Sequence, residues 1–411
     1  MTHIATLFFE PLDVLVFRDH RPFLAGQHFR ARSRFPLPSV FFGALRAALF
    51  ERAGARFDRD HDPFETLAPS DRALLGDAAS AGLLELAGPI LARRECDSIA
   101  PLLPWPRDLD LELHTDEERK SDADVTAHLV VPAQGLADLR WRGGELVRLE
   151  KPLPRRIGAS TGEKPTKERL LLTTAGAAAY ARASATGSAS FDLRYGEGCE
   201  RERCILTKEI RSGIALARAD SGADPRSVEE SMLFSVETWR LAPAHGFAVD
   251  LSLAEADVAT HGDRLRALLK QINGAPLRLG GKGHLARVTC LESPLFAPLD
   301  EALKAGALKA GTPAKSWCLT PSLIDPATAQ PAPCMVLGES IRLGGVNLRG
   351  RRRGPRPLVG ALVPGSVLFF DRVDDPSVLD RALHADPHGE EHGHPSSAGY
   401  GAHRLLPYHA I

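Results

Sequence analysis

Cysteine is scarce in this chain, six in 411 residues, and no two of them form a CxxC pair. That scatter excludes a disulfide framework and fits a reducing cytosol. No apolar run approaches the roughly 20 residues needed to span a bilayer, which excludes a helical membrane protein. The N-terminus, MTHIATLFFEPLDVLVFRDH, lacks a basic region followed by an apolar stretch and a small-residue cleavage site, so it reads as a first strand, not a signal peptide. Net charge is also missing: 51 Lys+Arg face 52 Asp+Glu, which argues against a protein that simply coats nucleic acid. There is no H-E-x-x-H or kinase-type set. What is present is an ordinary globular composition, 44% hydrophobic and 25% charged, on a chain long enough for about two domains.

The charge is unevenly placed. Residues 17–47 carry six arginines (Arg18, Arg21, Arg30, Arg32, Arg34, Arg46) against Asp19 alone, and residues 340–370 carry six more with no acid. A third basic stretch runs from Lys151 to Arg169. The acids gather at 108–124 and at 374–391. Segregation of this kind can make local basic surfaces on a neutral molecule, the surfaces that a polyanion reads.

Residues 4–17 read as a strand. Ser39 is a suitable N-cap for a helix over VFFGALRAALFERAG, with Gly54 at its end. A buried strand pair is expected at 82–92. From 108 to 190 the pattern weakens into acidic, basic and Ala/Ser/Gly-rich stretches, which reads as an insertion. Two strands around a PAHG turn (231–254), a helix at 262–272 and a late strand in PLVGALVPGSVLFFD follow. The recurring β–α–β–β order predicts an α+β protein of two ferredoxin-like (RRM-like) domains. The first spans 1–230 with an insertion at about 108–205, and the second spans 231–411.

Three segments carry chemistry. Arg18, His20 and Arg21 follow the first strand, and Arg30, Arg32, Ser33 and Arg34 come soon after. Guanidiniums there could pair with phosphates while neighbouring phenylalanines stack on bases; solvated arginines over a phenylalanine core are the alternative. Gly280, Gly281, Lys282, Gly283 and His284 remove Cβ bulk so that backbone N–H groups can approach a phosphate. They match neither the Walker A nor the G-x-G-x-x-G spacing, and a tight hairpin turn would satisfy the same glycines. Arg349, Arg351, Arg352 and Arg353 suit a backbone-binding loop. The histidine-rich tail (His384, His388, His392, His394) and the Cys199/Cys204 pair offer no closed tetrahedral set, so no metal and no cofactor is expected.

Several blocks together resemble the RAMP superfamily of CRISPR-associated proteins, most closely the third Cmr-type subunit of type III-B effector complexes. These are PLDVLVFRDHRPFLAGQHFRARSRFPLPSVFFGALRAALF at 11–50, GPILAR with PLLPWPRDL at 88–109, LFSVETWRL at 233–241 and RLGGKGHLARV at 278–288. LGGVNLRGRRRGPRPLVGALVPGSVLFF at 343–370 and GYGAHRLLP at 399–407 complete the set. His20 stands where a glycine is common, and Leu37 interrupts the family's proline run.

The resemblance implies a cytoplasmic, non-catalytic scaffold in antiviral defence that holds the 5′ handle of the guide crRNA. It implies two protein partners, the large cyclase-like subunit and a backbone RAMP subunit, and no membrane. The arginines around 18–34 would belong to the handle-binding loop, and the glycine-rich segment would lie beside the RNA. Two other readings stay open. A metal-independent endoribonuclease could use His20, His28 or His284 with Lys282, and a protein-only structural subunit would need no RNA contact.

Overall fold

The computed structural model describes residues 1–17, 32–56, 64–77, 80–96, 98–114, 123–133, 138–142, 145–149, 153–156, 168–216, 228–304, 308–323, 334–338, 341–343, 346–347, 354–355, 359–379 and 396–409. Four antiparallel strands make the centre: β1 (Thr2–Pro11), β2 (Glu85–Glu95), β3 (His245–Leu253) and β4 (Leu285–Leu291), in the spatial order β2-β3-β1-β4. Helix α1 (Pro38–Arg52) links β1 to β2, and α2 (Glu255–Ile272) links β3 to β4. Ser98–Pro104, Leu170–Leu172 and Cys199–Arg201 extend the sheet beyond β2. Pro276–Arg278 closes the other edge, making eight strands.

Strands β1, β2 and β3 are buried on both faces, so their period-2 alternation separates two cores rather than core from solvent, while β4 alternates exposed and buried residues over Leu285–Val288. In β1, Leu7 and Phe9 face one core while Phe8 faces the other. The first core is filled from α1 by Phe41, Leu45 and Leu49, and from α2 by Leu265, Leu268, Leu269 and Ile272. That i, i+3, i+4, i+7 spacing is what lets α2 lie along the sheet. Each fully buried Phe or Leu contributes about 1.5–3 kcal/mol by leaving water. The second core joins Phe8, Ile90 and Ala248 to Tyr180, Trp317, Phe369 and Leu406. Those residues come from helix Thr174–Thr186 and from a second sheet whose strands run Cys334–Val336, Val367–Val373, Thr312–Cys318 and His403–Pro407 in spatial order.

Several expectations change. Helix α1 begins at Pro38, with Leu37 in the N-cap position. Ser39 lies inside the helix, and its hydroxyl sits 3.0 Å from that of Tyr400. The strand expected as a pair at 82–92 is the single strand β2. The strands either side of the PAHG turn exist but do not pair: Val228–Leu241 forms a long hairpin with Leu206–Leu216, while β3 enters the central sheet. The segment PLVGALVPGSVLFFD holds two strands, Val359–Ala361 and Val367–Val373. The Ala/Ser-rich stretch is a core helix, Thr174–Thr186. Thr173 caps it by accepting from the Gly176 N–H, and Gly187 ends it at φ +70. The split anticipated at residue 230 does not coincide with a break in the central sheet, since β3 and β4 flank β1.

Candidate nucleic-acid interface

The three residues after the first strand's turn are a junction for three distant segments. Leu15 exchanges two 2.8 Å backbone hydrogen bonds with Trp239 of the long hairpin. The Val16 carbonyl accepts from the Gly281 N–H (2.8 Å), and the Phe17 carbonyl accepts from the Arg34 N–H (2.9 Å). Phe17 then packs edge-on against Trp239 and Phe247. The exit of the first strand, the return of the chain at 32–34, the glycine loop and the hairpin therefore meet at one end of the sheet. A cavity of about 260 Å³ opens among Val16, Phe17, Phe35, Leu37, Val40, Gly280 and Gly281.

The glycine loop is a hairpin connection between Pro276–Arg278 and β4, closed by the Leu279 N–H donating to His284 O (2.9 Å). Gly280 has φ +77 and Gly283 φ +72, a region open to glycine, while Lys282 adopts φ +59 despite its side chain. The ammonium of Lys282 sits 4.0 Å from the centroid of the Phe234 ring, a cation–π distance. The same ring covers Gly213 on the paired strand, where a Cβ would approach the ring to 2.4 Å. Burial holds the His284 pKa below its ordinary value, and the positive charges of Arg211 and Lys282 push the same way against Asp13.

The sequence candidates divide. Arg32 is exposed beside the junction, and Arg34 is half-buried at the stem. Ser33 is buried and donates to the Glu237 carbonyl at 2.6 Å, so it anchors the stem to the hairpin. Gly280 and Gly281 line the cavity at the junction, and Lys282, Gly283 and His284 complete the loop. Arg18, His20, Arg21, His28 and Arg30 lie outside the described residues, as do Arg349, Arg351, Arg352 and Arg353. The strands flanking that second group pair with each other, Val346–Asn347 with Gly354–Pro355.

Arg46, counted in the basic strip, is structural. Its guanidinium donates to the carbonyls of Leu75 (2.8 Å) and Ser80 (3.2 Å) and lies over Phe42 and Phe50. The histidines at 384–394 lie outside the described residues, and no cluster of three or more His, Cys, Asp or Glu that could hold a metal occurs among the described ones. Cys199 is buried, its thiol pushed up to about 12, mainly by desolvation. No helix among the described residues is long and apolar enough to cross a membrane.

Sequence reasoning missed the hairpin's chemistry: Arg211, Glu209, Arg240 and Phe234. Its only signal was charge alternating through TKEIR and VETWR, each stretch read apart from its partner strand.

The solved structures that match do so at low identity. A chain of the type III-B Cmr-beta complex bound to cognate target RNA is 13% identical, with 97% of this chain and 96% of that chain covered and a TM-score of 0.46. One from the same complex bound to cognate target RNA and AMPPnP is 14% identical, with 89% and 86% covered and a TM-score of 0.44. A chain of the Csm3–Csm4 subcomplex of the type III-A CRISPR-Cas interference complex is 11% identical, with 99% and 100% covered and a TM-score of 0.39. No curated protein is similar enough in sequence to match. The family model of the CRISPR-associated protein Cas_Cmr3 matches residues 7–406, nearly the whole chain. The blocks that bring the strand exit, the glycine loop and the hairpin together thus lie inside one family match, and the chain belongs to the Cas_Cmr3 family as a Cmr-type CRISPR-associated protein.

Proposed function

We propose that this protein is a non-catalytic RNA-binding subunit of a type III-B CRISPR effector complex in antiviral defence. In this reading it holds the 5′ handle of the guide crRNA and contacts the large subunit and the first backbone subunit, in the cytoplasm. The observation that carries the reading is the convergence at Leu15–Phe17. A basic segment, a glycine loop with an exposed lysine and an aromatic-bearing hairpin are held together by backbone hydrogen bonds. Amides, cations and aromatic faces at one place are the groups that hold splayed single-stranded RNA.

The central four strands support a ferredoxin-like unit: strand–helix–strand twice, with spatial order β2-β3-β1-β4 and both helices in one core. This unit takes its second half from residues 245–291, across the expected boundary at 230. A second such unit around Thr312–Cys318 and Val367–Val373 is part of the proposal.

The test is a gel shift of labelled guide RNA with an intact or a scrambled 5′ handle, over a salt series, with EDTA in half the lanes. The same samples are run on a denaturing gel. Tighter binding to the intact handle without cleavage is the expected result. Site-specific products that survive EDTA would replace it with the endoribonuclease reading. Loss of all RNA binding, even with the partner subunits co-expressed, would leave a protein-only role.

A further inference from the structure

The cations on the long hairpin are already engaged by carboxylates of this same chain. Arg211 and Arg240 project from one face of the hairpin, the face that also carries Glu209 and Phe234. Alternation along the two paired strands puts these residues on a common side. Both Nη atoms of Arg211 lie 3.2 Å from Asp13 Oδ2. The Nη2 of Arg240 donates to Asp13 Oδ1 at 2.9 Å. Glu209 accepts from Arg240 through Nε, and its Oε2 lies 3.4 Å from Arg211 Nη2. Asp13 sits at the start of the junction strand, two residues before Leu15, so the clamp adjoins the candidate interface. Lys282, over Phe234, stands beside it.

Two features make this clamp exchangeable. The Asp13, Arg211 and Arg240 side chains are 52%, 44% and 43% exposed, so the pairs are solvated and individually weak. Each guanidinium fork fits a phosphate as well as a carboxylate.

We propose that Asp13 and Glu209 are built-in stand-ins for RNA phosphates: they hold Arg211 and Arg240 in place in the free protein, and the RNA backbone takes over the two guanidiniums on binding. Asp13 is then a tuning residue that lowers affinity for any polyanion lacking the other contacts of the site. The inference rests on the RNA-binding reading above.

The experiment compares wild type with D13N, D13E and R211Q/R240Q, using a short fluorescein-labelled single-stranded RNA and anisotropy over a salt series. Thermal unfolding of each variant checks the fold. Removing a competing charge predicts about 3–5-fold tighter binding in D13N, with D13E close to wild type because the competitor remains. R211Q/R240Q is expected to bind about tenfold more weakly. Its dependence of log K on log salt should be shallower by about 1.4, two phosphates at roughly 0.7 each.

D13N binding no tighter than wild type would overturn the clamp, as would an unchanged salt slope in the double variant. Both leave the RNA-binding reading intact. If neither wild type nor D13N binds RNA, alone or with partner subunits, that reading fails and the clamp with it. Binding by D13N alone would support the clamp in its strongest form.

Discussion

The β-carbon that an alanine would add at Gly280 lies 2.5 Å from the carbonyl oxygen of Val16, and the backbone there has φ +77. The glycine loop can sit against the first strand only without that atom. Gly280→Ala is therefore expected to push the loop off Val16, with strain of about 1–3 kcal/mol from the glycine-only backbone conformation alone (φ +77, ψ −159). RNA binding should weaken about tenfold, while the rest of the protein stays folded. Binding titrations beside circular dichroism check this, and full affinity in the variant would show that the loop's seat is unimportant for RNA.

Lys315 and Asp108 form an ion pair with no exposed surface: Nζ to Oδ2 is 2.7 Å, and the Tyr180 hydroxyl donates to both Asp108 oxygens. The pair joins the segment after Pro106, the helix Thr174–Thr186 and the strand Thr312–Cys318. Lys315→Met strands a buried carboxylate and should cost about 3–5 kcal/mol in urea unfolding. The double variant K315M/D108N should recover much of that loss, because no charge remains and the amide still accepts from Tyr180. A single variant as stable as wild type would sink the account.

Arg46 is a structural arginine, set apart from those proposed to face RNA. Its bonds to Leu75 and Ser80 hold the turn after helix Pro69–Leu75. Arg46→Ala is expected to lower stability by about 1.5–3 kcal/mol, the range for hydrogen bonds to a charged group. RNA affinity should be unchanged. A salt slope altered by this substitution would return Arg46 to the binding surface.

His284 reports on the clamp through its titration. Burial and Arg211 hold its pKa below 6.5. The folded state thus favours the neutral ring. As pH falls through 6.5 the unfolded chain takes up the proton first, and folding stability declines between 6.5 and the folded value. In an NMR titration, Arg211→Gln should move the His284 pKa up and Asp13→Asn should move it down. A histidine insensitive to both would show that the loop and the hairpin are electrostatically separate.

Local patterns read well where side-chain spacing and burial agree. The first strand as far as Pro11, helix α1 to within two residues of its start, and the last three turns of α2 followed from apolar periodicity; the strand expected on to residue 17 stops at Pro11, and α2 starts seven residues earlier than expected, at Glu255. The helix at 174–186 did not, since alanine carries little hydrophobic signal. Its value is close approach: a Cβ at Gly176 would lie within 1.9 Å of Gly198 O. Ser39 has the chemistry of an N-cap, yet Pro38 already has the φ suited to a first helical position, and the hydroxyl goes to Tyr400.

The sequence by itself determined the composition class, the principal helices and the blocks that carry the family, because these depend on residue type and short-range spacing. It also named the glycine loop, since three glycines in four positions mark a backbone that other residues cannot follow. Which residues share a site was decided only by the tertiary structure. Leu15, Val16 and Phe17 bond to Trp239, Gly281 and Arg34, and two of those three partners lie more than 200 positions away. Such pairings depend on strand register in a sheet assembled from both halves of the chain, and no local pattern encodes register across that distance. Register within the hairpin also placed Arg211 and Arg240 together on Asp13, and the packing of α1 against the turn after helix Pro69–Leu75 made Arg46 an anchor instead of a surface cation.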